Sequence, residues 1–105
     1  MRKLLIGLVL LAAPAYASDN DAGIRSGQTF VEKNCSRCHA VGIAGKSPHP
    51  DAPTFRSLSK RYPLTNLEES LAEGISTGHP DMPEFKVAPQ QISEIIRYLN
   101  SIQEK

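Results

Sequence analysis

The chain has two cysteines, and both fall in the stretch Asn34-Cys35-Ser36-Arg37-Cys38-His39-Ala40. Two thiols separated by two residues, with an imidazole directly after them, would arise about one time in a thousand on shuffling the 88 residues from Ser18 onward. If the stretch continues a helix from the preceding segment, Cys35 and Cys38 lie three apart and Cys35 and His39 four apart, so the three side chains share one face. Such a face can grip a flat group at two edges and at its centre. Cys-x-x-Cys-His is the attachment signature of c-type haem, with both thiols bonded to the macrocycle and the imidazole ligating its iron.

Three other uses of the same residues fit less well. A thioredoxin-like redox pair needs a βαβ context, and none is evident nearby. A zinc site with two cysteines needs two histidines at finger-like spacing, whereas His39 and His49 are ten apart and His79 is more distant. A disulfide between Cys35 and Cys38 closes too short a loop to stabilise much.

The N-terminus reads as an address. Arg2 and Lys3 are basic, Leu4 to Ala13 is an apolar run of ten, Pro14 breaks it, and Ala15-Tyr16-Ala17 has the small-x-small form expected before cleavage. The run is shorter than the roughly 20 residues of a spanning helix, so an uncleaved anchor is the weaker alternative. Residues 1–17 are therefore expected to be a signal peptide and residues 18–105 one small exported domain, bacterial and periplasmic. Cleavage lowers Lys plus Arg from 12 to 10 against 11 Asp plus Glu, a net charge near −1. Nothing that remains is basic enough to suggest nucleic-acid binding. A chain of this size buries a modest core and usually needs a staple, and a covalently held macrocycle would supply one.

Ser18 to Asp21 is rich in N-cap residues, so a helix is expected from about Asp21 or Ala22; Ile24, Gly27, Phe30 or Val31 and Asn34 carry its period into the cysteines. Gly27 inside that helix costs about 1 kcal/mol relative to Ala, which close packing of another helix would explain. From Ala40 to Pro63 glycines and prolines prescribe loop, with one short helical turn around Thr54 to Lys60. Thr65-Asn66-Leu67-Glu68 reads as a capping box opening a helix that Gly74 ends. Pro89 suits the first turn of a last helix whose apolar face is Ile92, Ile95, Ile96, Leu99 and Ile102, with Tyr98 placed to meet Gly27. No alternating strand pattern, internal repeat or low-complexity segment is present. The expected fold is all-α with long ordered loops.

An iron held by one imidazole has a sixth position to fill. Of two methionines, Met1 leaves with the signal peptide, so Met82 is the remaining thioether. It lies in His79-Pro80-Asp81-Met82-Pro83, where the prolines stiffen the loop and favour its ordering. An isolated Met is more often core filler; the flanking prolines and polar neighbours favour a ligand here. His79 is the competing sixth ligand, and His49 reads as a surface histidine. A carbonyl near Pro53 is a candidate acceptor for the Nδ1–H of His39.

Together these residues resemble the class I c-type cytochromes, small exported bacterial monohaem proteins, over most of Ala22 to Ile102. The resemblance implies the cytochrome c fold: about four helices and long loops wrapped around one covalently attached haem c with its iron. It implies thioether bonds at Cys35 and Cys38, His39 as proximal and Met82 as distal ligand, Gly27 and Phe30 meeting Tyr98, and Pro53 buttressing His39. The chain departs from many members in having no Trp. Propionate contacts then fall to other groups, with Arg56 and Tyr62 the candidates.

With both axial positions filled by protein groups, iron keeps one-electron exchange and no substrate site. The expected function is an electron carrier rather than an enzyme, shuttling between donor and acceptor redox proteins. Docking would be weak, fast and steered by charge, with Lys33, Arg37, Lys46 and Lys86 as a possible basic rim and Glu68, Glu69 and Glu73 as an acidic patch. The carrier would be a monomer without a membrane anchor. Two alternatives are a cytochrome subunit docked permanently on a dehydrogenase or oxidase, and a haem-based ligand sensor or peroxidase in which Met82 leaves the iron.

Overall fold

The computed structural model describes residues 3–9, 19–75, 79–84 and 86–104. Residues 3–9 are exposed and not helical. The rest of the expected signal peptide, including the Ala15-Tyr16-Ala17 cleavage pattern, and the N-cap candidate Ser18 lie outside the described residues.

The described chain is helical, with no β-strand among its assigned elements: α1 (Asp19–Asn34), a 3-10 helix (Phe55–Lys60), α2 (Leu64–Glu73) and α3 (Pro89–Ile102). Helix α1 begins two residues before the expected start, with Asp19 and Asp21 in its first turn. Carboxylates there complement the unpaired N–H groups and positive dipole end. Helix α3 starts as its proline predicts, with Ala88 as N-cap and Pro89 in the first turn.

The capping box does not form. Helix α2 starts at Leu64 behind Pro63, and no side chain caps it. The earlier start aligns Leu64, Leu67 and Leu71 on one stripe, and all three are buried. Burying a leucine stabilises by about 1.5–3 kcal/mol and an N-cap by about 1, so packing sets the boundary. The other end is as expected, since Gly74 stops α2 with a φ of 101° that a side chain would resist.

Helix α3 is the hub, packing against α1, α2 and the 3-10 helix, and most extensively against α1. Ile92, Ile95, Tyr98 and Leu99 from its inner face join Val31 of α1, Leu58 of the 3-10 helix, the three α2 leucines and Val87 in one core. Where α1 crosses α3, the backbones touch at Gly27. A Cβ there would sit 2.6 Å from the Glu94 carbonyl carbon and 3.0 Å from the Ile95 nitrogen, and closer still to the Glu94 oxygen. The closest approach on α3 is thus at Glu94, one turn before Tyr98. Tyr98 is buried and donates its hydroxyl to the Val41 carbonyl at 2.6 Å, tying α3 to the loop after His39.

The C-terminus closes the fold in a way composition does not suggest. Gln103 Nε2 donates to the Phe55 and Leu99 carbonyls, both at 2.8 Å, and its Oε1 accepts from the Ser59 N–H at 2.9 Å. Glu104 adds ion pairs to Arg56 at 3.1 Å and Lys60 at 3.0 Å.

Candidate haem site

The Cys-x-x-Cys-His segment continues α1 by one further turn. Cys35 N–H donates to the Val31 carbonyl at 2.8 Å and His39 N–H to the Cys35 carbonyl at 2.9 Å, the four-residue step of a helix. The loop that follows folds back on this turn. His49 N–H donates to the Cys38 carbonyl at 3.0 Å, Phe55 N–H to the Ala40 carbonyl at 2.9 Å, and Ala40 N–H to Ser47 Oγ at 3.0 Å. These bonds satisfy backbone groups that the end of α1 would otherwise leave orphaned. Ser47 is a partner that sequence reasoning missed.

Cys35 and Cys38 are half-buried free thiols. Burial pushes the Cys35 thiol up to about 11, so it is protonated at neutral pH. A thioredoxin-like pair works through a thiolate of lowered pKa, so the shift runs against that use.

His39 Nδ1 lies 2.8 Å from the carbonyl oxygen of Pro53. A carbonyl can only accept, so Nδ1 carries the proton and, in the neutral ring, the lone pair sits at Nε2. That is the state in which an imidazole binds a metal. The ring packs on Phe55, with centroids 4.8 Å apart, so two contacts, one from the loop at Pro53 and one from the start of the 3-10 helix, fix its orientation.

These groups open onto a cavity of about 600 Å³. Its wall includes Cys35, Cys38, His39, Pro53 and Tyr62, with Phe30, Leu58, Leu67, Leu71, Ile95 and Leu99 supplying apolar surface from every helix. Met82 also lines it, brought there by a loop 43 positions beyond His39. His79 reaches the same wall, but its Nδ1 accepts the Asp81 N–H at 3.2 Å and its Nε2 faces the Asp51 carboxylate at 3.3 Å. Arg56 stands apart from the other proposed site residues: it is absent from the cavity wall, and its Nε is paired with Glu104. The reason is the C-terminal clasp, which draws the guanidinium toward the end of α3. Its Nη1 is nonetheless buried with no hydrogen-bond partner among the described residues.

Comparison with known proteins agrees with this geometry. The sequence profile of the family described as "Cytochrome c" matches residues 24–103. The chain belongs to the cytochrome c family. It is 29% identical over 97 residues to "Cytochrome c-552" of Bradyrhizobium diazoefficiens, covering 92% of this chain and 91% of that protein. It is 24% identical over 76 residues to "Cytochrome c-553-like" of Synechocystis, covering 72% of this chain and 66% of the other. No solved structure gives a significant match.

As a class I c-type cytochrome the chain carries covalently attached haem c with its iron, and functions as a haem-based electron carrier. The residues fit that group. The cavity volume lies within the roughly 300–1,000 Å³ typical of cofactor sites, its wall is mainly apolar, and it offers thiols, a correctly protonated imidazole and a thioether. Bound haem c supplies one-electron Fe(II)/Fe(III) exchange. For holding that group the cavity wall offers two thiols, an imidazole and a thioether within a mainly apolar lining.

Proposed function

We propose that this protein is an exported, monomeric one-electron carrier whose haem is bonded to Cys35 and Cys38 and held axially by His39 and Met82. The convergence of Met82 on the cavity that His39 lines carries this reading. A thioether and a low-dielectric pocket both favour Fe(II), so the potential is expected to be relatively high. Pro53 acts through its carbonyl, keeping His39 in the ligating tautomer. For the propionates, Tyr62 on the cavity wall and the unpartnered Nη1 of Arg56 are the available donors.

A freely diffusing carrier is favoured over a permanently docked subunit by the surface. Beyond Val9, Ile43 is the one large hydrophobic side chain strongly exposed among the described residues, whereas a permanent interface needs a sizeable apolar patch. No described helix is long and apolar enough to cross a membrane. Lys33, Arg37, Lys46 and Lys86 are exposed, and Arg37 borders the cavity, which suits charge-steered docking of donor and acceptor proteins at the haem edge in the periplasm.

The test is Met82→Ala in haem-loaded protein. Loss of the weak far-red absorption band of oxidised thioether-ligated iron, together with a lower potential, is expected. A spectrum unchanged by the substitution would place the sixth ligand elsewhere. Carbon monoxide binding to the reduced wild-type protein at neutral pH would favour a ligand sensor instead.

A further inference from the structure

The tripeptide His-Pro-Asp occurs twice, as His49-Pro50-Asp51 and as His79-Pro80-Asp81. Each copy folds alike. The Asp51 N–H donates to His49 Nδ1 at 3.1 Å, and the Asp81 N–H donates to His79 Nδ1 at 3.2 Å. Each ring thereby has Nδ1 held by its own turn and Nε2 left for contacts beyond it, and the intervening proline limits the backbone freedom that would blur this. The two copies then face one another reciprocally. His49 Nε2 lies 2.9 Å from Asp81 Oδ2, and His79 Nε2 lies 3.3 Å from Asp51 Oδ2. The two rings stand edge to face, with centroids 5.2 Å apart.

Two imidazole nitrogens and two carboxylates have thus been gathered from two loops into one place. Ligand atoms of His49, Asp51 and His79 all lie within 4.8 Å of one another. Tetrahedral zinc, with bonds of about 2.0–2.1 Å, would draw them to about 3.3 Å, a movement within reach of side-chain rotation. Two carboxylates also neutralise a dication. Mixed nitrogen and oxygen donors suit borderline metals, whereas calcium and magnesium require more oxygen.

We propose that His49, Asp51 and His79, with Asp81 beside them, form a binding site for a borderline divalent cation of the zinc class. The site bridges the loop that holds His39 through Pro53 to the loop that carries Met82. All four residues also lie on the wall of the haem cavity, so the site rests on the reading that Met82 and not His79 is the sixth ligand of the iron. Were His79 that ligand, His79→Gln would change the haem spectrum as well as zinc binding. Metal on each Nε2 moves the ring proton to Nδ1, so the two Asp N–H contacts are given up on binding. The affinity expected is therefore micromolar, short of that of a closed structural zinc site.

The experiment is a calorimetric zinc titration of haem-loaded protein, with His49→Gln, His79→Gln and Asp51→Asn tested in parallel. The absorption spectrum of each variant verifies that the haem pocket is intact. One zinc per chain is expected, weakened at least tenfold by either histidine substitution and several-fold by Asp51→Asn. Asp51 is exposed and Asn keeps its size, so that substitution tests the site even if a histidine variant fails to mature. No binding up to millimolar zinc, or binding undiminished in the variants, overturns the proposal.

Discussion

Gly27→Ala isolates the contact on which the helix crossing depends. The new methyl would be 2.6 Å from the Glu94 carbonyl carbon, where carbon atoms normally rest about 3.5–4.0 Å apart. Both sides of the clash are helix backbone, so no rotamer change relieves it. The helices must separate by about 1 Å at their closest point, loosening the packing of Val31, Ile95 and Leu99 next to the haem cavity. Overpacking of this kind costs about 1–3 kcal/mol, and the improved helix propensity of Ala returns about 1 kcal/mol. Because backbone cannot yield, the upper end of the range applies, leaving a net loss of about 2 kcal/mol. For a domain of this size that is about 8–16 °C in melting temperature. Gly23, one turn earlier on the same helix, is the internal control. A Cβ there meets Arg97 Nη1 at 2.8 Å and Cδ at 3.3 Å, the far end of a flexible side chain that can swing away. Gly23→Ala should therefore be neutral or stabilising by up to about 1 kcal/mol. Thermal unfolding of the two haem-loaded variants, followed by circular dichroism, makes the comparison. Equal melting temperatures would refute the close-approach reasoning.

Tyr98→Phe removes the donor to the half-buried Val41 carbonyl and should cost about 1–3 kcal/mol in denaturant unfolding; an unchanged midpoint would mean water replaces the hydroxyl without loss. Glu104→Gln tests the C-terminal clasp through pH. Hydrogen bonding from Lys60, then the charge of Lys60 and the hydrogen bond from Arg56, hold the Glu104 carboxyl below its ordinary value of 4.5. A carboxyl depressed in the native state stabilises above its unfolded value, and that contribution disappears as pH falls through the folded one. The stability difference between wild type and Glu104→Gln should be constant from neutral pH down to about pH 5 and shrink below it. A difference that grows on acidification would contradict the assignment.

Much of the site was legible because its chemistry is local. Cys35, Cys38 and His39 lie within one helical turn, and the helix leading into them was evident from its apolar period. Met82, which lines the cavity, was legible as a candidate by elimination, being the one thioether left if the expected signal peptide is removed. The pairing of Arg56 Nε with Glu104, 48 positions away, was not legible, because no local pattern reports it. The false capping box has a similar origin. Thr65 and Glu68 have the right spacing, but the depth to which Leu64 is buried decides where α2 begins.

By itself, the order of residues determined what depends on near neighbours: the attachment turn, the helix periods, the glycine stop at Gly74 and the identity of the candidate ligands. Tertiary structure decided what depends on segments distant in the chain. It set the crossing at Gly27 against Glu94, the carbonyl that selects the tautomer of His39, and the facing of two His-Pro-Asp turns 30 positions apart. The physical reason is that side-chain spacing repeats within a turn of helix, whereas a contact between distant segments exists only after the core has closed and brought their backbones together.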